Sequence, residues 1–175
     1  MRAGVVVIVS ALCLAACGYA PVHGTAAAEH LHVHLTASRV PDAVASDEVL
    51  AGAREELAKL GALAAGDGYP RLEIEVLRAD EASEGIAANA EPDGRLLPQS
   101  RATRVGVVAR GWVLRAPGAE PQRDAGDVRV FEIVAIAPDA RAATFRHSDA
   151  LRAAGRRAGR RLATRIMGLP AATDE

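Results

Sequence analysis

The chain has 175 residues, with 21 basic and 22 acidic side chains and a formal net charge of −1. This balance argues against a general nucleic-acid binder, because such proteins neutralise phosphates with an excess of Lys and Arg. Half of the residues are apolar but only 3% are aromatic, so we expect a single domain with one aliphatic core.

The first sixteen residues have the composition of a secretory signal. Arg2 supplies a positive charge, and the apolar run over 3–16 is too short for a permanent spanning helix. The run ends in Leu-Ala-Ala-Cys at 14–17, which are the residue types and spacing of a bacterial lipobox. We predict that residues 1–16 are a lipoprotein signal peptide and that Cys17 receives a covalent lipid through its thiol. An ordinary signal peptide that happens to contain a cysteine is the alternative.

Cleavage before Cys17 also removes Cys13. The one remaining thiol is then lipidated, which excludes a disulfide framework and a thiol nucleophile. Residues 17–28 are mostly small, with a Pro among them, and we predict a tether there, a single domain over 29–170 and a disordered tail over 171–175. Gly18, in the place where an Asp would retain a lipoprotein at the inner membrane, favours the outer membrane.

The domain is predicted to begin with a strand over residues 30–35. Apolar side chains alternate with histidines there: Leu31, Val33 and Leu35 share one face, and His30, His32 and His34 share the other. Successive side chains on one face of a strand lie about 7 Å apart, which suits ligands of one zinc ion poorly. We therefore predict no metal site and a polar face toward solvent or lipid headgroups, with a zinc site as the alternative.

A helix and a second strand are predicted next. Ser46 is expected to cap the helix, Glu55 and Lys59 form an i, i+4 pair, and the apolar stripe consists of Val49, Ala53, Leu57, Leu60 and Ala64. Residues 69–78 alternate as a strand, and we expect its carboxylates, Glu73 among them, on a solvated face. Residues 79–100 are polar and small, and predict a long connection.

Two further strands and a closing helix complete the pattern. Strands over 101–114 and 128–136 are predicted to form a hairpin through a loop at 117–126, and 138–145 is predicted to be a connection. The closing helix is expected to begin at Ser148-Asp149, and its apolar stripe consists of Leu151, Ala154, Ala158, Leu162, Ile166 and Leu169. Gly155 and Gly159 are expected to let it approach the sheet closely.

The other side of the closing helix is rich in arginine: Arg152, Arg156, Arg157, Arg160 and Arg161, with Arg165 at the flank. Because a guanidinium binds phosphate through a planar fork, we treat these five residues as a candidate ligand-binding site. A solvated helix face in a chain with a single lysine, Lys59, is the alternative. No nucleophile elbow, phosphate-binding loop, zinc-protease helix or dinucleotide fingerprint is present, so we expect a protein without enzymatic activity.

The lipobox followed at once by Cys17-Gly18-Tyr19, and the order strand, helix, strand, long hairpin and closing helix, resemble the lipopolysaccharide-assembly lipoprotein family, LptE. The resemblance implies an α+β two-layer sandwich, with an about four-stranded, mostly antiparallel sheet and two helices packed on one face. It also implies an outer-membrane lipoprotein, anchored on the periplasmic side, that is the plug and partner of a large LptD-like β-barrel in lipopolysaccharide assembly.

In that role the arginines would contact lipopolysaccharide, and no cofactor is expected beyond the covalent lipid on Cys17. A different class remains open at this point. An auxiliary lipoprotein of an ABC lipid transporter, or an activator of a cell-wall synthase, would share a lipobox and a small α/β domain but act by protein–protein contact. A purely structural envelope lipoprotein, without a stoichiometric partner, is a third possibility.

Overall fold

The computed structural model describes residues 29–90, 92–135 and 139–170. The predicted signal peptide 1–16, the lipidation site Cys17, the tether 17–28 and the tail 171–175 lie outside the described residues. For 84–90 and 96–101 the description covers the backbone.

The described residues form four strands and two helices. In chain order these are β1 (His32–Ser38), α1 (Ala43–Lys59), β2 (Arg71–Ala90), β3 (Leu96–Leu114), β4 (Arg123–Ala135) and α2 (Ala140–Ile166). The sheet has the order β1-β2-β3-β4, in which β1 and β2 are parallel and the other neighbours are antiparallel. Both helices pack on the sheet and against each other. This confirms the predicted α+β sandwich with a mostly antiparallel four-stranded sheet.

The core is aliphatic, and lies between the sheet and the two helices. Alternate strand residues and one stripe of each helix are buried in it, among them Leu31, Val33, Val49, Ala53, Leu57, Leu72, Ile74, Val76, Val105, Val107, Ala158 and Leu162. These positions confirm the predicted periodicities. Ala64 and Leu169, which belong to the predicted stripes, lie outside the helices. Ala64 follows the end of α1 at Lys59, and its amide donates to the Leu31 carbonyl. The other is Leu169, of which 43% is exposed. It lies beyond the end of α2, after Gly168 with φ of 71°.

Both helices begin earlier than the sequence pattern predicts. Asp42 caps α1 by accepting a hydrogen bond from the Val44 amide, and Asp139 caps α2 by accepting one from Ala142. Ser46 is therefore not a cap: it is buried, with its hydroxyl 2.7 Å from that of Ser38. The predicted connection at 138–145 is wrong for residues 140–145, because no Gly or Pro interrupts the chain between Asp139 and the predicted start.

The predicted connection over 79–100 is also wrong. Backbone pairing between β2 and β3 continues from Arg71↔Leu114 to Ala90↔Leu96, so the two strands form one long hairpin. Small residues with low strand propensity hide these strands from a sequence pattern. β4 likewise begins at Arg123 rather than at 128, which shortens the predicted loop, and residue 136 lies outside the description.

Three glycines bring the two helices into backbone contact. A Cβ atom at Gly159 would overlap the carbonyl oxygen of Val49, and one at Gly52 would overlap that of Arg156. At Gly155 it would lie 3.0 Å from the Ala45 carbonyl oxygen. The prediction that Gly155 and Gly159 face the sheet is therefore wrong, because their close neighbour is α1.

Replacing Gly159 with alanine tests this contact. The added methyl group has no space beside α1, and overpacking of this kind costs roughly 1–3 kcal/mol. At an exposed helical position the same change would stabilise the protein by about 1 kcal/mol. We expect urea denaturation to show a lower free energy of unfolding for Gly159→Ala.

The matched control is Ala153→Gly on the exposed side of the same helix. It should lose about 1 kcal/mol from helix propensity alone. A Gly159→Ala variant more stable than the parent would contradict the backbone contact.

The start of α2 can be tested at its two candidate caps. Asp139→Ala removes the acceptor for the Ala142 amide and should lower the free energy of unfolding by about 1 kcal/mol. Ser148→Ala, inside the helix, should change it by less than about 0.5 kcal/mol. The reverse ranking in thermal denaturation would show that α2 begins at Ser148.

Candidate functional site

The arginines of α2 form two rows instead of one strip. Residues spaced by four on a helix share a side, and Arg152, Arg156 and Arg160 form the row toward α1. Arg157, Arg161 and Arg165 form the row toward β4. The five predicted site residues are thus divided between two neighbouring elements.

The row toward α1 is paired with carboxylates. Arg156 contacts Glu48 at 2.8 Å, and Arg160 donates to both carboxylate oxygens of Glu55, at 3.0 and 2.9 Å. Arg152 pairs with Asp149 at 2.9 Å. The sequence did not indicate the pairings with Glu48 and Glu55, because they join residues more than 100 positions apart.

Glu55 also confirms a predicted contact, since Lys59 Nζ lies 3.9 Å from its carboxylate. The hydrogen bond from Arg160 is the largest influence on this group and lowers the pKa of Glu55 below its ordinary value of 4.5. The positive charges of Arg160, Lys59 and Arg156 act in the same direction, and partial desolvation opposes them. Glu55 therefore remains ionised under mildly acidic conditions.

A groove of about 450 Å³ lies along this row. Its lining consists of Glu48, Asp149, Arg152, Ala153, Arg156, Arg157 and Arg160. Each of its four guanidinium groups is paired with a carboxylate: Glu48 and Asp149 belong to the lining, and Glu55 and Glu132 do not. Because ion pairs between exposed side chains contribute only about 0–1 kcal/mol, an incoming phosphate can exchange with these carboxylates at small cost. The arrangement suits an anionic ligand.

The second row lies along β4, the edge strand of the sheet. Arg157 pairs with Glu132, and Arg165 donates to the carbonyl oxygens of Ala125 at 3.3 Å and Asp127 at 3.2 Å. Arg165 thus covers two outward carbonyls of the edge strand, and covering an edge is a common protection against strand–strand association.

The histidine strand has different partners from those predicted. The Nδ1 atom of His32 donates to the Gly66 carbonyl at 2.8 Å, and that of His34 lies 2.7 Å from the Glu73 carboxylate. The Thr36 hydroxyl donates to the same carboxylate oxygen. Among the described residues, no group of His, Cys, Asp and Glu could hold a metal ion.

Glu73 is 5% exposed, so its predicted place on a solvated face is wrong. In register it lies between His34 of β1 and Trp112 of β3, on the sheet face away from the helices. An interior strand with neighbours on both sides is covered even on its polar face. The burial of Glu73 depends on the pairing of β1 with β2, which are separated in the chain by α1. The sequence pattern did not reveal that pairing.

The membrane-related predictions lie mostly outside this part of the chain. Cys17 is not among the described residues. Within the described residues, neither helix has the length and apolar character needed to cross a bilayer.

No family model and no curated protein matches the sequence. Solved structures do resemble the fold. A candidate lipoprotein from Caulobacter crescentus CB15 has a TM-score of 0.52 at 13% identity, over 78% of this chain and 88% of that one. A minor lipoprotein from Acinetobacter baumannii has a TM-score of 0.45 at 9% identity, over 79% and 94%. At this identity, the Caulobacter structure shows a shared fold.

The Arg160–Glu55 pair leads to a prediction about pH. A carboxylate whose pKa is lowered by folding stabilises the protein above its ordinary pKa, and the contribution is lost as the pH falls through the lowered value. We expect Glu55→Gln to be less stable than the parent at neutral pH, and the difference to shrink below about pH 4.5. Urea denaturation across that range measures it.

The control repeats the comparison in an Arg160→Gln background. There the difference between Glu and Gln at position 55 should be smaller and depend less on pH, because the main cause of the pKa shift is gone. An equal pH dependence in both backgrounds would rule out Arg160 as that cause.

Proposed function

We propose that this chain is a lipoprotein of the outer membrane, anchored through Cys17 on the periplasmic side, that assists lipopolysaccharide assembly as the partner and plug of a large β-barrel. The observation that carries the proposal is the lipobox at 14–17 directly ahead of a small folded domain. The resemblance in element order to the LptE family supplies the barrel partner. In this role the domain acts by contact, without catalysis.

The structure shows which end of the domain surrounds Glu29, the described residue nearest in sequence to Cys17. Glu29, the first described residue, pairs with Arg115 at 3.0 Å and with Arg123. Arg123 also donates to the carbonyl of Ile166 at 3.2 Å, at the end of α2. Residues 18–28 span at most about 40 Å when fully extended, so a lipidated Cys17 keeps this end near the bilayer.

The groove on α2 supports glycolipid binding. Lipopolysaccharide carries phosphates and acidic sugars, and the forks of Arg156 and Arg160 can donate paired hydrogen bonds to such groups. On binding, Glu48 and Glu55 would return to water, where a carboxylate is well solvated. The ion pairs seen in the structure then hold the arginines in position until a ligand arrives.

The test of the anchor and of the partner uses the full chain made in its own host. Mass spectrometry of the parent is expected to show an acylated Cys17 at the mature N-terminus, and Cys17→Ser is expected to be unmodified. A gently solubilised pull-down of the tagged parent is expected to contain a large β-barrel protein.

Two results would overturn parts of the proposal separately. An intact, unacylated Cys17 would remove the anchor. An ABC transporter or a cell-wall synthase in place of the barrel would leave the anchor and identify the chain as an auxiliary lipoprotein of that assembly.

The glycolipid site is tested with Arg152→Gln, Arg156→Gln and Arg160→Gln combined. Removing three guanidiniums from the groove should weaken lipopolysaccharide binding by about tenfold or more, since each basic side chain near an anionic lipid surface contributes about 1 kcal/mol. Binding of purified lipopolysaccharide, followed by titration calorimetry, measures this.

A matched control removes three arginines that also form exposed ion pairs but lie on the opposite side of the sheet. These are Arg39, Arg78 and Arg110, paired with Glu75, Asp80 and Asp124. The control triple Gln variant should bind as the parent does. Equal losses in both variants would mean that net charge, and not the groove, accounts for binding.

A further inference from the structure

Arginine side chains cover some of the outward backbone groups of β4 but leave a short stretch uncovered, which we call the gap. β4 is the last strand of the sheet, and its inner edge pairs with β3. On its outer edge, the carbonyls of Ala125 and Asp127 accept from Arg165, and that of Ala135 accepts from Arg146 at 3.4 Å. Backbone groups of a strand point to the same side at every second residue.

By that alternation, Arg129, Phe131 and Ile133 also direct their N–H and C=O groups outward. Within the described ranges, these outward groups have no hydrogen-bond partner. The arginines therefore cover both ends of the edge and leave open a stretch of five residues, 129–133. Such a stretch presents three donors and three acceptors to an incoming strand.

The side chains beside this gap form a fixed apolar and cationic surface. Phe131 lies across Gly106, where a Cβ atom would overlap its ring. The guanidinium groups of Arg104 and Arg129 lie 4.7 and 5.8 Å from the ring centroid. Ile133 is next on the same face and is 66% exposed. Because the ring is held in place, little ordering is needed when a partner binds.

The charges around the gap favour a negatively charged binding partner. Cationic side chains surround it: Arg104, Arg129, Arg146, Arg157 and Arg165. Two carboxylates are nearby: that of Glu132 is paired with Arg157, and that of Asp127 lies at one end of the gap beside Arg129. A second copy of this chain would bring the same arginines against them, and like charges that face each other across strands are destabilising. An acidic segment is complementary, and its apolar residues would cover Ile133.

We propose that residues 129–133 of β4 are a docking site for an extended, acidic and apolar segment of a partner protein, which adds to the sheet as a fifth strand. Backbone hydrogen bonds supply affinity, and the alternating side chains supply specificity. The covered ends at 125–127 and at 135 limit the added strand to a short one. Strand docking is inferred from the sheet edge and would stand even if the groove bound no glycolipid.

The probe is a short blocked peptide of alternating glutamate and valine, added to the folded parent. Hydrogen exchange is expected to slow at the outward amides of Arg129, Phe131 and Ile133, with no change at β1, the other edge. A peptide with lysine in place of glutamate should give no such slowing. Unchanged exchange with the glutamate peptide, or equal slowing by the lysine peptide, would overturn the proposal.

A proline at position 133 tests the backbone contact directly. Ile133→Pro removes an outward N–H without removing a hydrogen bond to β3, a place where an edge strand tolerates proline. We expect peptide affinity, measured by fluorescence anisotropy, to fall by about tenfold or more. Ile133→Val retains both the N–H and a β-branched apolar side chain and should bind within about threefold of the parent. Equal affinity of the proline variant and the parent would exclude strand addition. The hydrogen-exchange experiment uses the parent protein, so it tests the proposal even if the proline variant does not fold.

Discussion

The backbone contact between α1 and α2 is the constraint on which the rest of the surface depends. At Gly52 and Gly159 a Cβ atom would overlap backbone atoms of the facing helix, and at Gly155 it would lie 3.0 Å from one, so the two helices meet backbone to backbone at these glycines. Both helices run in the same direction, since Glu48 pairs with Arg156 and Glu55 with Arg160. Because the helices are in contact, arginines of α2 reach carboxylates of α1 across the line where the two helices meet. The groove lies along this line, beside Glu48 and Arg156.

The same contact explains why α2 carries two rows of arginine with different roles. Because α2 lies between α1 and β4, one row lies above the helix seam and the other lies beside the sheet edge. Charges toward α1 are balanced by acids on a neighbouring helix, whereas those toward β4 are used on backbone carbonyls and on Glu132. The sequence presents one positive strip, and the fold divides it into a side that faces the carboxylates of α1 and a side that faces the sheet edge.

The sequence predicted the features that follow from local periodicity, such as the buried strand positions. It did not predict the features that depend on contacts between residues far apart in the chain. Leu72, Ile74 and Val76 alternate, and the pattern alone placed them in the core. The strand halves over 79–90 and 96–100 have too few β-branched residues for such a pattern, and are held by pairing with each other. The burial of Glu73 and the ion pairs of Arg156 and Arg160 join elements far apart in the chain, so no local signal could reveal them.

Arg157 connects the two proposed contact surfaces. It lines the groove on one side of α2 and pairs with Glu132 of the edge strand on the other. A phosphate in the groove would compete with Glu132 for this guanidinium and leave that carboxylate without its partner, next to the gap at 129–133. An acidic strand would then meet an unpaired negative charge, and its docking would weaken. If both surfaces function as proposed, glycolipid and strand binding should oppose each other, and reciprocally so, because linkage between two sites is symmetric in free energy.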